Sequence, residues 1–352
     1  MAKGKMEKRR FGKTNLQLSL IGIGGIPFIH TGEEEVEKVI NKGIELGINF
    51  IETAYGYKTS EEKIGKAIKG KRDKIILITK SHSPFSSHFE ESLKRLGVEY
   101  VDVYQIHGLV PHLLPKLEKT GEIDFLLNMK EKGKIKFLGV TSHSPSALIE
   151  AMEKDYFTSI QAPINFVEYE RYKKALEIAV KKDIGTLAMK PLGGGLFPAR
   201  ESLRFLKFTP ISAIPVGMRN EKEVVENVEI ISDGTPFSEK ERFLLEEQLN
   251  KWGDKFCRKC EYCNVCPNGI PVSLLMLTEV VYIRDGIAAL IEGNFSEKLK
   301  QVDKCKWCKE CLKKCPYHLK IPEIIHSYQE KYLPIIENYI KEKKKENNNI
   351  LQ

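Results

Sequence analysis

No cysteine occurs before Cys257, and all eight cysteines lie in two short stretches beyond it. A disulfide framework is thus excluded from the first 250 residues. Long apolar runs are missing as well. The longest weakly polar run, Leu18 to Ile29, contains Gly24-Gly25 and Pro27 and is too short to span a bilayer. The basic N-terminus (Lys3, Lys5, Lys8, Arg9, Arg10) is followed by no apolar stretch and no cleavage site. We therefore expect no signal peptide, no membrane partner and a cytosolic protein. Charge is not extreme: +8 over 352 residues, with no interleaved aromatic and basic residues, which argues against a nucleic-acid partner. What remains is globular composition, 41% hydrophobic and 30% charged, on a chain long enough for two domains.

The segregation of cysteine sets a boundary near residue 250. Before it, short apolar runs recur about every 28 residues. They are Leu18–Gly24, Asn49–Ile51, Ile75–Thr79, Val101–Ile106, Phe137–Val140, Ser159–Gln161, Gly185–Met189 and Ala213–Val216. Several are rich in Ile and Val without alternation, as strands covered on both faces require. The segments between them read as helices. Val36, Val39, Ile40, Gly43 and Ile44 share one face, with Gly47 as a stop. Ser87 with Glu90 reads as a capping box closed by Gly97, and Ser144-Pro145 as a cap followed by a first-turn proline. Eight such units predict a (β/α)8 TIM barrel over residues 1–250. A doubly wound open sheet is the competitor, but no G-x-G-x-x-G follows the first run.

In a barrel the chemistry sits at the C-terminal ends of the strands. Polar residues gather there: Glu52 with Tyr57 just beyond, Lys80, His107, Ser142 and His143, Gln161, and Lys190. Singly, each has an ordinary structural reading: an ion pair for Lys80 and Glu52, a core histidine for His107, packing for Tyr57. Together, four of them on three adjacent strand ends can donate a proton to a carbonyl. Lys80 would make the Tyr57 phenol more acidic, Glu52 would anchor Lys80, and His107 would orient the carbonyl or relay a proton.

The run Asn49-Phe-Ile-Glu-Thr-Ala-Tyr-Gly-Tyr-Lys-Thr-Ser-Glu61 resembles a signature of the aldo-keto reductases. Leu93-Lys-Arg-Leu-Gly97 followed by Tyr100-Val-Asp-Val-Tyr-Gln-Ile-His107 is similar to a second motif of that family, and Lys80 matches its strand-end lysine. The likeness covers residues 7 to about 235. It implies a barrel that reduces a small carbonyl substrate, or oxidises the alcohol, with NADP(H) and no metal in the barrel. By that resemblance Tyr57 is the general acid, beside Lys80, His107 and Glu52. Thr141, Ser142 and Gln161 match positions that hold the nicotinamide carboxamide. Lys190, Pro215, Gly217, Glu226 and Asn227 fall to the rest of the cofactor, with Arg219 and Lys222 near the 2′-phosphate. Two departures stand out: Glu52 replaces the family's Asp, and Lys58 replaces a Gly; Tyr55 also lies close enough to rival Tyr57, although the count to Ser60-Glu61 favours Tyr57. The loop Leu109–Gly121, with His112, is the candidate substrate lining.

The cysteines form Cys257-x2-Cys260-x2-Cys263-x2-Cys266-Pro267 and Cys305-x2-Cys308-x2-Cys311-x3-Cys315-Pro316. The second is the bacterial ferredoxin run, and the first differs only in its last spacing. Three closely spaced thiolates wrap one [4Fe-4S] cluster, and the cysteine before proline reaches the other. The spacing therefore predicts Cys257, Cys260, Cys263 and Cys315 on one cluster, and Cys305, Cys308, Cys311 and Cys266 on the second. Local pairing and structural zinc are the alternatives. The insert Ser273 to Asp303 is helical in pattern, so residues 251–340 read as a small, mainly α-helical ferredoxin-like domain. Residues 341–352 read as a disordered charged tail. The whole arrangement is similar to a ferredoxin-fused branch of the aldo-keto reductases.

Three functions follow. The first is a carbonyl reductase whose clusters exchange electrons with a ferredoxin-like partner. In the second the clusters only brace the domain or sense oxidation. In the third the chain is a non-catalytic nucleotide-binding electron-transfer or regulatory subunit. Hydride transfer moves two electrons and each cluster moves one, so a flavin is conceivable between them, although no flavin motif is present.

Overall fold

The computed structural model describes residues 6–350. It groups into two compact units. One holds the residues up to Leu192 together with Pro198–Glu246; the other holds Gly193–Phe197 and the residues from Glu247 onward. The division falls four residues before the expected boundary, inside the helix Glu239–Trp252. Among the described residues no helix is long and apolar enough to cross a membrane. The expectation of no signal peptide rests in part on residues 1–5, which lie outside those described.

The first unit opens with an antiparallel hairpin, β1 (Lys8–Arg10) and β2 (Gln17–Ser19). Eight parallel strands follow: β3 (Ile21–Gly24), β4 (Phe50–Glu52), β5 (Ile76–Ser81), β6 (Val101–Ile106), β7 (Ile135–Thr141), β8 (Phe157–Pro163), β9 (Gly185–Met189) and β10 (Ile214–Gly217). Neighbours in sequence pair in order, and β10 pairs with β3 in register from Ile214↔Ile21 to Gly217↔Gly24. A bridge between Leu187 and Ala213 joins β9 to the β10 edge and closes the cylinder. This is the (β/α)8 architecture, and it rules out the open sheet.

The first apolar run divides in two. Gln17–Ser19 leaves the barrel to pair with Lys8–Arg10, while Ile21–Gly24 stays in it. Phe11 and Leu18 from the hairpin region pack with Phe50, Ile78, Val103 and Leu187 inside the barrel. Gly22 and Gly185 leave room for the rings of Phe50 and Phe11, where a Cβ would overlap them. A hairpin strand and a buried barrel strand thus share one hydrophobic stretch, which a run-based reading cannot separate.

Helix limits follow local chemistry. Helix Glu33–Glu45 buries Val36, Val39, Ile40 and Gly43, and Gly47 turns the chain at φ 90°. Ser144 caps Pro145–Met152 by accepting from the Ala147 N–H. The capping box at Ser87 is not formed. Helix Phe85–Leu96 starts earlier, because the Glu122 carboxylate accepts from the Phe85 N–H at 2.9 Å and from Ser83 Oγ at 2.7 Å, so a distant acid does the capping.

In the second unit, helices Val272–Leu275, Thr278–Glu292, Phe295–Lys300 and Ile321–Ile350 pack around Leu275, Leu290, Leu299, Val302, Ile325 and Ile336. The hydroxyls of Tyr328 and Tyr332 and the Lys331 ammonium converge on Glu279 at 3.0–3.2 Å. The expected disordered tail is corrected up to residue 350: helix Ile321–Ile350 runs through it. Its Lys- and Glu-rich stretch consists of good helix formers that extend an existing helix without a new nucleus. Residues 351–352 lie outside those described.

Candidate active site and cysteine cavities

Glu52 ends β4 and Lys80 lies near the end of β5. Their side chains point into the barrel, 4% and 1% exposed as residues. The Lys80 ammonium donates to the Glu52 carboxylate and to the Thr53 carbonyl at 2.8 Å. An ion pair this dry holds because both charges are hydrogen-bonded. Burial pulls the Lys80 ammonium down, but Glu52 and Tyr57 together raise it above its ordinary value, so it stays charged. Gln161, on β8, donates to the same Glu52 carboxylate at 3.1 Å.

Above this pair lies Tyr57, whose ring centroid is 4.7 Å from Lys80 Nζ. The His107 ring meets Tyr57 edge-on, with centroids 6.1 Å apart. Glu52, Tyr57, Lys80 and His107 therefore share one place. The rival Tyr55 does not join them: it stacks on His88 at 4.2 Å, with the Arg95 guanidinium 4.5 Å from its ring. One expectation is corrected. Lys80 does pull the Tyr57 phenol down, but burial pushes it further up, so the group lies above its ordinary value and is protonated at neutral pH. Burial, helped by the charges on Lys80, His82 and Lys190, holds His107 well below 6.5 and hence neutral.

His82 was missed by sequence reasoning. Its ring stacks on His107, with centroids 4.6 Å apart and planes 11° from parallel. The available signal was its position two residues after Lys80, where a strand returns a side chain to the same face.

The residues matched to the cofactor divide into groups. Thr141 Oγ1 accepts from the Gly108 N–H at 2.8 Å, and Ser142 Oγ donates to the Leu109 carbonyl at 2.6 Å. Both hydroxyls thus tie down the loop after β6. Gln161 keeps a buried Oε1 with no hydrogen-bond partner. Lys190, beyond β9, places Nζ 3.2 Å from His143 Nε2. Pro215 is buried in β10 and Gly217 ends it. Asn220 caps the helix Glu221–Ser232 by accepting from the Glu223 N–H at 2.9 Å. Arg219, Lys222 and Glu226 are exposed around that helix start, and Asn227 is buried within it. Glu223 sits among them and accepts from the Arg219 N–H at 2.7 Å, so positive charge there is offset. His112, in the candidate substrate loop, is exposed just before helix Leu113–Lys119.

The eight cysteines line two cavities. Cys257, Cys260, Cys263 and Cys315 line one; Cys266, Cys305, Cys308 and Cys311 line the other. Burial and the neighbouring thiols of Cys257, Cys260 and Cys315 push Cys263 up to about 12. Four thiols in such a cavity cannot all ionise without a cation among them. Among the described residues no group of three or more His, Cys, Asp or Glu is arranged to hold a metal ion.

The two runs are also built alike. Lys259 and Glu261 have positive φ (49° and 67°), and so do Trp307 and Lys309 (53° and 62°), at matching places in each run. Gly269 and His318 match in the same way (70° and 53°), after Cys266-Pro267 and Cys315-Pro316. The cysteine spacing contained this internal repeat, and the left-handed residues confirm it as a repeat of backbone shape.

A model of the aldo/keto reductase family matches residues 20–214, ending before the first cysteine. The aldo-keto reductase YhdN of Bacillus subtilis is 33% identical over 218 residues, 55% of this chain and 65% of that protein. The matched part thus spans less than two thirds of that relative. L-galactose dehydrogenase of Arabidopsis thaliana is 26% identical over 215 residues, 54% of this chain and 67% of that enzyme. A solved aldo-keto reductase of Bacillus halodurans, in its holo form, is similar in fold, with a TM-score of 0.61 at 22% identity, covering 69% of this chain and 96% of that one.

Proposed function

The chain belongs to the aldo/keto reductase family, and from that premise we propose that its barrel reduces a small aldehyde or ketone with NADPH, or oxidises the corresponding alcohol with NADP. The observation that carries this reading is the Tyr57 ring above the Lys80–Glu52 pair with His107 beside it. NADPH, when bound, supplies the hydride. The unpartnered Gln161 Oε1 fits a carboxamide amine, and the Asn220-capped helix start with Arg219 and Lys222 fits a phosphate.

Tyr57, protonated at neutral pH, gives its proton to the carbonyl oxygen as the hydride reaches carbon, so the alcohol leaves uncharged. Lys80 steadies the phenolate left behind, and Glu52 keeps Lys80 charged and aimed. His107, being neutral, contributes a hydrogen bond to the oxygen without adding a charge. In the reverse direction Tyr57 must first lose its proton, so alcohol oxidation rises with pH while reduction does not.

The cysteine unit, in this reading, holds two [4Fe-4S] clusters: one on Cys257, Cys260, Cys263 and Cys315, the other on Cys305, Cys308, Cys311 and Cys266. When bound, they supply one-electron exchange with a redox partner. The two four-cysteine cavities, each drawing three thiols from one run and one from the other, support this assignment.

The direct test is Tyr57→Phe, assayed with NADPH and 4-nitrobenzaldehyde. Turnover is expected to fall by about 10²- to 10⁴-fold, with NADPH binding by fluorescence unchanged. Full turnover in the variant would remove Tyr57 from the acid role.

A further inference from the structure

The two cysteine cavities share a backbone shape but differ in what surrounds them. Beside the first, Arg258 is 4% exposed, and its guanidinium lies 4.8 Å from the Phe256 ring and 4.5 Å from the Tyr317 ring. Positions 259 and 261 of that run carry one charge of each sign. Beside the second, Cys308 is exposed. Lys306 and Lys309 line the cavity with it, and Lys304 precedes the run. Two carboxylates stand against Lys304, Lys306, Lys309, Lys313 and Lys314: Asp303, which accepts from Gln329 at 2.7 Å, and Glu310, which pairs with Lys313 at 2.6 Å. The surface is therefore basic.

At its centre stands Trp307, 49% exposed. Its indole stacks on the His326 ring, with centroids 4.7 Å apart and planes 7° from parallel. A large aromatic at the surface is costly unless something covers it, and this one is already fixed in place, so covering it loses little side-chain entropy. The matching position in the other run is Lys259, so the indole is not needed to shape the loop. A fixed aromatic flanked by an excess of positive charge is the pattern of an interface anchor for an acidic protein.

We propose that the face formed by Trp307, Cys308, Lys304, Lys306 and Lys309 docks an acidic one-electron carrier protein. The proposal rests on reading the cysteine cavities as iron–sulfur sites. It adds that the second cavity, and not the first, is the one presented to the partner. Charge complementarity guides the approach, Trp307 provides the contact that persists at high salt, and the exposed Cys308 keeps the separation between redox centres short.

The test is anaerobic calorimetric binding of the full-length, iron-loaded chain to an acidic plant-type [2Fe-2S] ferredoxin as probe. Wild type should bind, with affinity falling steeply as salt rises. The Lys306→Glu/Lys309→Glu variant should weaken Kd by at least about tenfold. Trp307→Ala should weaken it by about thirtyfold, including at high salt. Lys259→Glu, at the matching place in the other run, should change it by less than about twofold. Iron content and visible absorbance check that each variant is loaded. If Trp307→Ala loses iron, the charge-reversal variant decides. Equal weakening by Lys259→Glu, no weakening by Lys306→Glu/Lys309→Glu, or tighter binding of single-stranded DNA than of the ferredoxin would overturn the proposal. Wild-type protein without iron would overturn the cluster reading itself, whereas loaded protein indifferent to the charge reversal would overturn only the docking surface.

Discussion

The barrel and the cysteine unit assemble their sites in opposite ways. In the barrel, residues 52, 57, 80, 107 and 161 are far apart in sequence and meet because eight paired strands bring their ends together. Its scaffold has an extensive core of its own, running from Met6 to Ile231, and the eight barrel strands pair in sequence order. In the cysteine unit, six of the eight thiols come from two seven-residue stretches, and the cysteine that follows each stretch, Cys266 or Cys315, lines the other cavity. Its core is a few helices around Leu275, Leu299 and Ile336. A strand-built site depends on the fold; a loop-built site of thiols depends on what the thiols bind.

The comparison predicts that damage to the cysteines stays in the second unit. Replacing Cys257, Cys260 and Cys263 together by Ser should remove about half of the iron. Adding Cys315→Ser should remove no more, whereas adding Cys266→Ser should take the remainder. The reverse pattern would establish local pairing and break the crossed scheme. In each variant the barrel should keep its NADPH binding and aldehyde reduction.

A smaller effect sharpens the barrel side. His107 is held well below 6.5 by burial and by the charges on Lys80, His82 and Lys190. A depressed value means that neutral His107 supports the fold above pH 6.5, and that this support is lost as the pH falls. Barrel stability should decline below pH 6.5 by up to about 1.4 kcal/mol per pH unit. Chemical denaturation of wild type and His107→Gln checks this, since the variant should show the shallower decline. Equal slopes would mean that His107 titrates normally. The smallest effect concerns the helix cap beside the proposed phosphate site. Asn220→Ala should cost about 1 kcal/mol of barrel stability in the same assay, while the midpoint of the cysteine unit stays put.

Much of this was legible in the sequence, for different reasons in the two regions. Strand spacing gave the barrel because a parallel strand buried on both faces is a plain apolar run, and the strand ends gave Glu52, Lys80 and His107. Periodicity could not separate β2 from β3, which lie end to end in one run. It also missed the cap on helix Phe85–Leu96, supplied by Glu122 from elsewhere in the chain. The pull of Lys80 on Tyr57 was read with the right sign, but the opposing burial was invisible without packing. His82 was overlooked because its importance comes from the ring it stacks on, not from its own place in a motif. In the cysteine unit the spacing carried the repeat directly, yet the difference between Lys259 and Trp307 became meaningful only once their surroundings were known.

The most direct measurement is the anaerobic content of iron, acid-labile sulfide and zinc per chain in protein that also reduces 4-nitrobenzaldehyde with NADPH. About eight irons and eight sulfides, no zinc, and turnover lost in Tyr57→Phe are predicted. Zinc in place of iron, or turnover that survives without the Tyr57 hydroxyl, would contradict a phenol-driven reductase joined to a two-cluster module.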